Sequence, residues 1–296
     1  MSENTTLTAI AGITVGHYTD LDAQTGCTVI VLPEPSVVAG EIRGAAPATR
    51  GYGLLSSGMT VEQANALVLT GGSAFGLASA DGVLAELESQ GRGYTTTTAV
   101  VPIVPAAALY DLGIGRADVR PTAREGAQAF RVASSAPVEQ GLVGAGTGAT
   151  CGKWRGETIP GGIGSAAVRI GDATVAALVA VNALGDVFSL EGAPLTGGPA
   201  VAKPLAKPPA ANQNTTLGVI ATDALLTRDQ LSRLLVRAHD AYGACLRPAH
   251  TSFDGDMCFA VSAGTQAGEL HNLAEAAFEA VGRAIANAVG ASRLNR

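Results

Sequence analysis

The chain has 296 residues, which is long enough for one large domain or two small ones with a substantial buried core. Only 15% of the residues are charged, 47% are hydrophobic, and the net charge is −6. This acidic balance, without any cluster of Lys or Arg, argues against a nucleic-acid partner. A surface so poor in charge also favours the burial of faces in a homo-oligomer.

Signals for export or membrane insertion are missing from the sequence. No run reaches the roughly 18 consecutive apolar residues of a membrane span, and residues 1–5 lack the basic and apolar regions of a signal peptide. The cysteines lie far apart without a CxxC spacing, which predicts buried thiols in a reducing compartment. They are Cys27, Cys151, Cys245 and Cys258. These features predict a cytoplasmic protein without a membrane partner.

Apolar runs near the start of the chain predict strands and one helix. Residues 27–32 and 37–42 are β-rich runs separated by a Pro-Glu-Pro segment, which predicts a pair of strands with a tight connection. Residues 65–70 predict a buried strand that ends at two glycines. Ser73 then stands where the N-cap of the following helical pattern is expected.

The middle of the chain combines further strands with glycine-rich turns. Residues 99–104 predict a buried strand, with Tyr110 in the loop beyond it, and residues 141–148 are rich in glycine. Small and branched residues alternate over 165–181, which predicts two adjacent strands with a turn near Gly171.

The composition changes sharply at residues 200–214, which are rich in Pro and Ala and predict a mobile connector. Residues 216–221 then begin a strongly apolar strand, and residues 257–261 predict a further strand. Helical periodicity marks residues 228–242 and 270–289. The whole is α/β in class, but no clean βαβαβ rhythm supports a doubly wound sheet.

The sequence contains no complete motif for binding a nucleotide or a metal. Gly144-x-Gly146-x-x-Ala149 lacks the acidic residue expected about 20 positions later, and Trp154 follows Lys153 where a phosphate loop needs Ser or Thr. The four histidines form no HxH or HxxxH pair. Neither a metal nor an organic cofactor is therefore predicted.

Two local patterns carry the chemistry. Asp254-Gly255-Asp256 is open to two interpretations from spacing alone: a solvated turn, or paired carboxylates that accept protons. Asn214-Thr215 places a hydroxyl residue between the predicted connector and a buried strand. The Thr215 hydroxyl can attack the Asn214 carbonyl, and hydrolysis of the resulting ester frees an α-amine with a pKa of about 7.7. Such an amine can act as the general base of its own hydroxyl.

These patterns belong to a larger set, in family order over nearly the whole chain, that resembles the DmpA-type aminopeptidases and especially their nylon-oligomer hydrolase branch. The matching segments are Ile13-Thr14-Val15-Gly16-His17, Gly26-Cys27-Thr28-Val29, the run from Leu69 to Leu77, Gly146-Thr147-Gly148-Ala149-Thr150, Gly152-Lys153-Trp154, the run from Ala180 to Asp186, Asn214-Thr215-Thr216-Leu217, Ala221-Thr222-Asp223-Ala224, Ala249-His250-Thr251 and Asp254-Gly255-Asp256.

The resemblance implies a layered αββα sandwich, shared with ornithine acetyltransferases, that cuts itself between Asn214 and Thr215. Residues 1–214, with a linker at about 200–214, would form the larger chain, and residues 215–296 the smaller one. Together they would make one catalytic domain and then a homo-oligomer, a tetramer or larger, of cleaved heterodimers.

The resemblance also implies a role for each matching residue. Thr215 matches the nucleophile, and Asp254 and Asp256 match the acids that hold and polarise it. Lys153 matches a cation near the nucleophile that keeps the Thr215 amine neutral. Asn182 matches a donor to the oxyanion, a role worth roughly 3 kcal/mol. Tyr110 matches an aromatic residue at the substrate pocket.

The implied reaction is hydrolysis of amide bonds in small peptides or in oligoamides of the aminohexanoate type. Threonine and the aspartate pair replace the serine nucleophile and serine–glutamate pair of the aminopeptidase branch, which points away from a simple dipeptide aminopeptidase. Two alternatives stay open: an acyltransferase of the ornithine acetyltransferase type, and an uncleaved homologue that only binds ligands.

Overall fold

The chain forms sixteen strands and five α-helices within residues 4–204 and 213–294, the part that this computed structural model describes. The strands are β1 (Thr14–Asp20), β2 (Thr25–Val31), β3 (Val37–Ile42), β4 (Ala48–Arg50), β5 (Ala66–Thr70), β6 (Tyr94–Thr95), β7 (Val100–Val101), β8 (Ala106–Ala108), β9 (Thr150–Cys151), β10 (Ile159–Pro160), β11 (Gly162–Ile170), β12 (Ala173–Asn182), β13 (Asp186–Val187), β14 (Thr215–Ala224), β15 (Leu246–Arg247) and β16 (Met257–Gln266). The helices are α1 (Ser73–Gly76), α2 (Ser79–Ser89), α3 (Ala123–Arg131), α4 (Arg228–Cys245) and α5 (Leu270–Leu294).

Two five-stranded sheets form the centre of the molecule. The first has the strand order β1-β2-β5-β8-β4, and the second has the order β11-β12-β14-β16-β3. In the second sheet β12 is antiparallel to both β11 and β14, whereas β14 and β16 run parallel. The end of β12 and the start of β14 therefore meet at the same edge of the sheet.

The sheets pack face to face and a helix pair covers each outer face. Side chains such as Ile30 and Leu69 of the first sheet share a core with Val219 and Phe259 of the second. Helices α2 and α3 bury their apolar residues against the first sheet, and α4 and α5 against the second. The result is a mixed α/β fold with the layer order helix, sheet, sheet, helix.

Coverage of both faces explains why β12 and β14 are buried almost throughout and why their central residues are apolar. Thr227 and Gln230 form a capping box that starts α4. Helix α5 lies close to β11 because Gly164 has no side chain, and a Cβ there would clash with the carbonyl oxygen of Ala284.

Two expectations about the first half of the chain are wrong. Residues 27–32 and 37–42 do not pair: β2 lies in the first sheet and β3 at the edge of the second. The Pro-rich link crosses between layers, and two apolar runs joined by a short link give the same sequence pattern in either arrangement. The buried strand expected at 99–104 is instead Ala106–Ala108, while Val101 in the short β7 is exposed.

The helix after the glycine turn also differs from the expectation. Gly72 is the N-cap, and Ser73 is the first helical residue, with a φ of 55° and no side-chain cap bond. The helical pattern is broken after α1 and resumes at α2. The observed cap thus lies one position before Ser73, the cap that the sequence suggested.

The remaining elements agree with the sequence. The strand pair at 165–181 is β11 and β12, and residues 216–221 and 257–261 lie in β14 and β16. The four cysteines are buried and free. Within the described ranges no helix combines the length and apolarity needed to cross a membrane. Most of the predicted connector, residues 205–212, lies outside the described residues.

Candidate active site

Strand register brings the candidate site residues to one edge of the second sheet. Thr215, the first residue of β14, is the direct partner of Asn182, the last residue of β12. The preceding residue, Asn214, forms an isolated parallel bridge with Asp254, just before β16 begins. Segments that are far apart in sequence therefore meet around the Asn214–Thr215 peptide bond.

This peptide bond is buried and its carbonyl oxygen has two donors. The backbone N–H of Gly255 donates to the Asn214 oxygen at 2.8 Å, and the Thr215 hydroxyl donates to it at 2.5 Å. Asn214 and Thr215 are 1% and 5% exposed. The arrangement places the Thr215 hydroxyl beside the preceding peptide bond. The Gly255 N–H points at the oxygen on which negative charge would develop if that bond were attacked.

Asp256 fixes the backbone around the candidate nucleophile. Its Oδ1 accepts from the Thr216 N–H at 2.7 Å, and its Oδ2 accepts from the His250 N–H at 2.9 Å. The same Oδ2 lies 2.8 Å from Nδ1 of the His250 ring. In this intact chain Asp256 therefore binds the residue after Thr215 rather than Thr215 itself.

Asp254 is the second buried acid. Its Oδ2 accepts from the backbone N–H of Thr251 at 2.9 Å and from the Thr251 hydroxyl at 2.5 Å. Burial, and then the negative charge of Asp256, raise the pKa of Asp254 to about 6. This carboxyl group therefore holds its proton more readily than an ordinary aspartate.

Lys153 reaches the site from the turn after β9. Its ammonium group donates to the Thr150 carbonyl at 3.0 Å, to Oδ1 of Asn182 at 3.0 Å and to the Ala183 carbonyl at 3.4 Å. Burial lowers the pKa of Lys153 to about 8, because an ammonium ion loses hydration there. The three acceptors are neutral oxygens, so none of these hydrogen bonds cancels the positive charge of Lys153.

Oδ1 of Asn182 accepts from the Lys153 ammonium group at 3.0 Å and from the Thr150 N–H at 3.0 Å. These two bonds orient the side chain of Asn182. The amide nitrogen Nδ2 then donates to the carbonyl oxygens of Tyr110 at 2.9 Å and Gln213 at 3.3 Å. In the intact chain the Asn182 amide therefore binds the Gln213 carbonyl and not the Asn214 carbonyl, which is the next one along the chain. Tyr110 enters the site through its main chain, and contact of its ring with substrate stays a prediction.

Three residues around this site had no assigned role in the sequence analysis. Gly255 was only the middle of an acidic turn, His250 was part of a motif, and His239 lacked a nearby histidine in the sequence. The contacts of His250 and His239 depend on the packing of α4 against the loop before β16. In the sequence, the position of Gly255 between two acids was the one sign of a role for it. In the described segments no three His, Cys, Asp or Glu side chains gather to hold a metal ion.

Comparisons with known proteins identify the family of this chain. The family model described as peptidase family S58 matches residues 5–294. An uncharacterized aminopeptidase of Mycobacterium tuberculosis is 39% identical over 292 residues, covering 88% of this chain and 82% of the relative. A 6-aminohexanoate-oligomer endohydrolase of Kocuria sp. is 30% identical over 270 residues, covering 85% and 73%.

Among solved structures, the L-aminopeptidase D-Ala-esterase/amidase of Ochrobactrum anthropi superposes with a TM-score of 0.77. The superposition covers 98% of this chain and 87% of that one at 22% identity, so it supports the fold alone. That enzyme has a variant of the Ntn-hydrolase fold. The resemblance to DmpA-type enzymes is thus confirmed, and the chain belongs to peptidase family S58.

Proposed function

We propose that this chain cuts itself between Asn214 and Thr215 and then hydrolyses amide bonds with Thr215 as an N-terminal nucleophile. The observation that carries the proposal is the Asn214 carbonyl oxygen, held by the Gly255 N–H with the Thr215 hydroxyl 2.5 Å away. Family membership supports the peptidase or amidase class.

Self-cleavage would proceed by transfer of the acyl group from nitrogen to oxygen. The Thr215 Oγ1 attacks the Asn214 carbonyl carbon, and the Gly255 N–H stabilises the resulting oxyanion. The C–N bond then breaks, the hydroxyl proton passes to the leaving nitrogen, and an ester joins the two segments. Water hydrolyses this ester and leaves a carboxyl group on Asn214 and a free amine on Thr215.

In the cleaved enzyme the Thr215 amine would take the proton of the Thr215 hydroxyl during attack on a substrate amide. Cleavage breaks the covalent link that holds Gln213 at the site, so that Nδ2 of Asn182 can donate to an incoming carbonyl oxygen. The positive charge of Lys153 favours the neutral amine, while Asp256 holds the Thr216 N–H and thereby the backbone of the nucleophile.

A small substrate with an uncharged part next to the scissile amide fits the surroundings of the site. A cavity of about 160 Å³ borders Thr150, whose N–H binds Asn182. Its walls include Ile114, Leu142 and Pro160 and carry only neutral side chains. Neutral walls suit an aliphatic chain or a small peptide side chain. Amide hydrolysis is common to the named relatives, whereas acyl transfer to ornithine is favoured by none of them.

The two fragments are expected to stay together after cleavage, because their strands interleave. In the second sheet β14 and β16 come from residues 215–296, and they lie between β12 and β3 of the larger fragment. Assembly of such heterodimers into a homo-oligomer, and a cytoplasmic location, stay predictions.

The test compares wild type with Thr215→Ala and with Thr216→Val, a matched control that removes the neighbouring hydroxyl and keeps its backbone N–H. We expect wild type and Thr216→Val to give two fragments, 1–214 and 215–296, by intact mass under denaturing conditions, and one species by native gel filtration. Thr215→Ala should stay one chain and show no amide hydrolysis. Amide hydrolysis by purified Thr215→Ala would refute the assigned nucleophile.

A further inference from the structure

A chain of hydrogen bonds leads away from Asp256 on the side opposite Thr216. Nδ1 of His250 lies 2.8 Å from Oδ2 of Asp256, and Nε2 of His250 lies 3.2 Å from Nδ1 of His239. Nε2 of His239 lies 3.2 Å from the backbone carbonyl oxygen of Glu41. Helix α4 supplies His239, which is 5% exposed, and β3 supplies Glu41. We call Asp256, His250 and His239 the acid–histidine array.

The ends of the array determine how many protons it holds. The Glu41 carbonyl only accepts, so Nε2 of His239 must carry a proton. His239 is 5% exposed, and burial lowers its pKa because a charged ring loses hydration there, so His239 is neutral and its Nδ1 is a bare acceptor. Nε2 of His250 must therefore be protonated. Because Oδ2 of Asp256 is also an acceptor, a further proton has to lie between it and Nδ1 of His250.

This further proton belongs on His250 rather than on Asp256. Backbone N–H groups of Thr216 and His250 both donate to the Asp256 carboxyl group, and such bonds favour its ionised form. Tyr242, whose ring centroid lies 5.2 Å from that of His239, stays protonated because burial raises its pKa. Arg43 and Glu41 lie near His239 and pair with each other, and Asp254 is a further charged group near Asp256.

We propose that His250 is a positioning residue for the reaction proposed above: as an imidazolium backed by His239, it holds Asp256 in place and offsets its charge. Asp254 and the Thr215 amine then lie near an ion pair of Asp256 and His250, instead of near an Asp256 carboxylate without a counter-charge. The inference rests on the proposed function for its catalytic consequence, but the protonation of His250 is a property of the fold.

The backbone of His250 identifies a suitable substitution. Its φ is 55°, in the left-handed region that few residues other than Gly, Asn and Asp adopt readily. His250→Asn keeps the backbone geometry and a side-chain donor for Asp256, but it removes the ionisable ring. His271→Asn is the matched control, because His271 is exposed on α5, away from the array.

The first readout is the pH profile of kcat/KM on a small amide. In His250→Asn the uncompensated charge of Asp256 raises the pKa of both Asp254 and the Thr215 amine. We expect the acid limb to move up by about one pH unit, and His271→Asn to keep the wild-type limb. A lower rate with an unmoved acid limb, or a limb that moves to lower pH, would overturn the proposal.

The second readout needs no activity. In ¹⁵N-histidine-labelled Thr215→Ala protein at neutral pH, we expect protons on both ring nitrogens of His250 and only on Nε2 of His239. A bare Nδ1 on His250 would overturn the proposal whatever the kinetics show. If wild type hydrolyses no amide but His250 is doubly protonated, the proposed function fails and the array stands.

Discussion

At the scale of single residues, Gly255 is the backbone donor to the Asn214 carbonyl at which we propose self-cleavage. Its N–H points at the carbonyl oxygen from 2.8 Å. A Cβ at this position would lie 2.7 Å from the Thr215 hydroxyl and 2.6 Å from the Ala46 carbonyl oxygen. Only glycine therefore allows the loop to approach the scissile bond so closely.

Gly255→Ala is expected to slow self-cleavage strongly, because the loop must shift and its N–H loses alignment with the oxyanion. Loss of one such donor costs about 10²-fold or more in rate. The measurement is the fraction of intact chain against time after synthesis. Gly243→Ala, where a Cβ meets nothing within 4 Å, should cleave like wild type. Equal cleavage rates for the two variants would remove Gly255 from the mechanism.

The resemblance predicted Thr215, Asn182, Lys153 and the acid pair as site residues, because each lies in a recognisable local motif. It did not predict the partners of these residues. Which N–H groups the acids bind depends on the loop before β16 and on its packing against β14 and α4, and such contacts leave no periodic signal in the sequence.

At the scale of elements, the turn that carries Lys153 also binds residues 199–201, which precede the proposed cleavage site in the sequence. The guanidinium group of Arg155 donates to the Pro199 carbonyl at 2.7 Å and pairs with the buried Asp186 at 2.8 Å. Nε1 of Trp154 donates to the Val201 carbonyl at 3.3 Å. One short turn thus links the Lys153 ammonium group to the chain that approaches Thr215.

Arg155→Leu should destabilise the fold by about 3–5 kcal/mol, because it leaves the Asp186 carboxylate buried without its partner. Adding Asp186→Asn to this variant should restore part of the loss. The free energy of unfolding, from denaturant titration, is the measurement. The exposed pair Arg116–Asp118 is the control, and Arg116→Leu should leave stability unchanged. A similarly small effect for Arg155→Leu would show that the buried pair does not hold this turn.

The elements themselves were predictable where they are long. Small and branched residues over 165–181 predicted β11 and β12, and apolar runs predicted the first halves of β14 and β16, which are covered on both faces. The short strand Ala106–Ala108 was missed, since alanine has a low preference for strands and only its surroundings bury it. The wrong partner for β3 reflects a choice between two sheets that a local pattern does not encode.

At the scale of the whole molecule, two sheets packed face to face bring residues from four distant parts of the sequence to one edge. The smaller segment, residues 215–296, supplies both the candidate nucleophile and the acids, whereas the larger one supplies Asn182 and Lys153. Neither segment alone contains a complete site. The proposed activity would therefore require the two segments to stay paired through the interleaved strands of the second sheet.

The most direct test of the central claim is to trap the acyl-enzyme and locate it. Purified, cleaved protein is mixed with an activated ester of a short amino acid, quenched in acid, and both fragments are weighed by mass spectrometry. We expect the acyl mass on the 215–296 fragment, at Thr215 after peptide mapping. Turnover of the ester with the acyl group found on any other residue would contradict the assignment of Thr215 as the nucleophile.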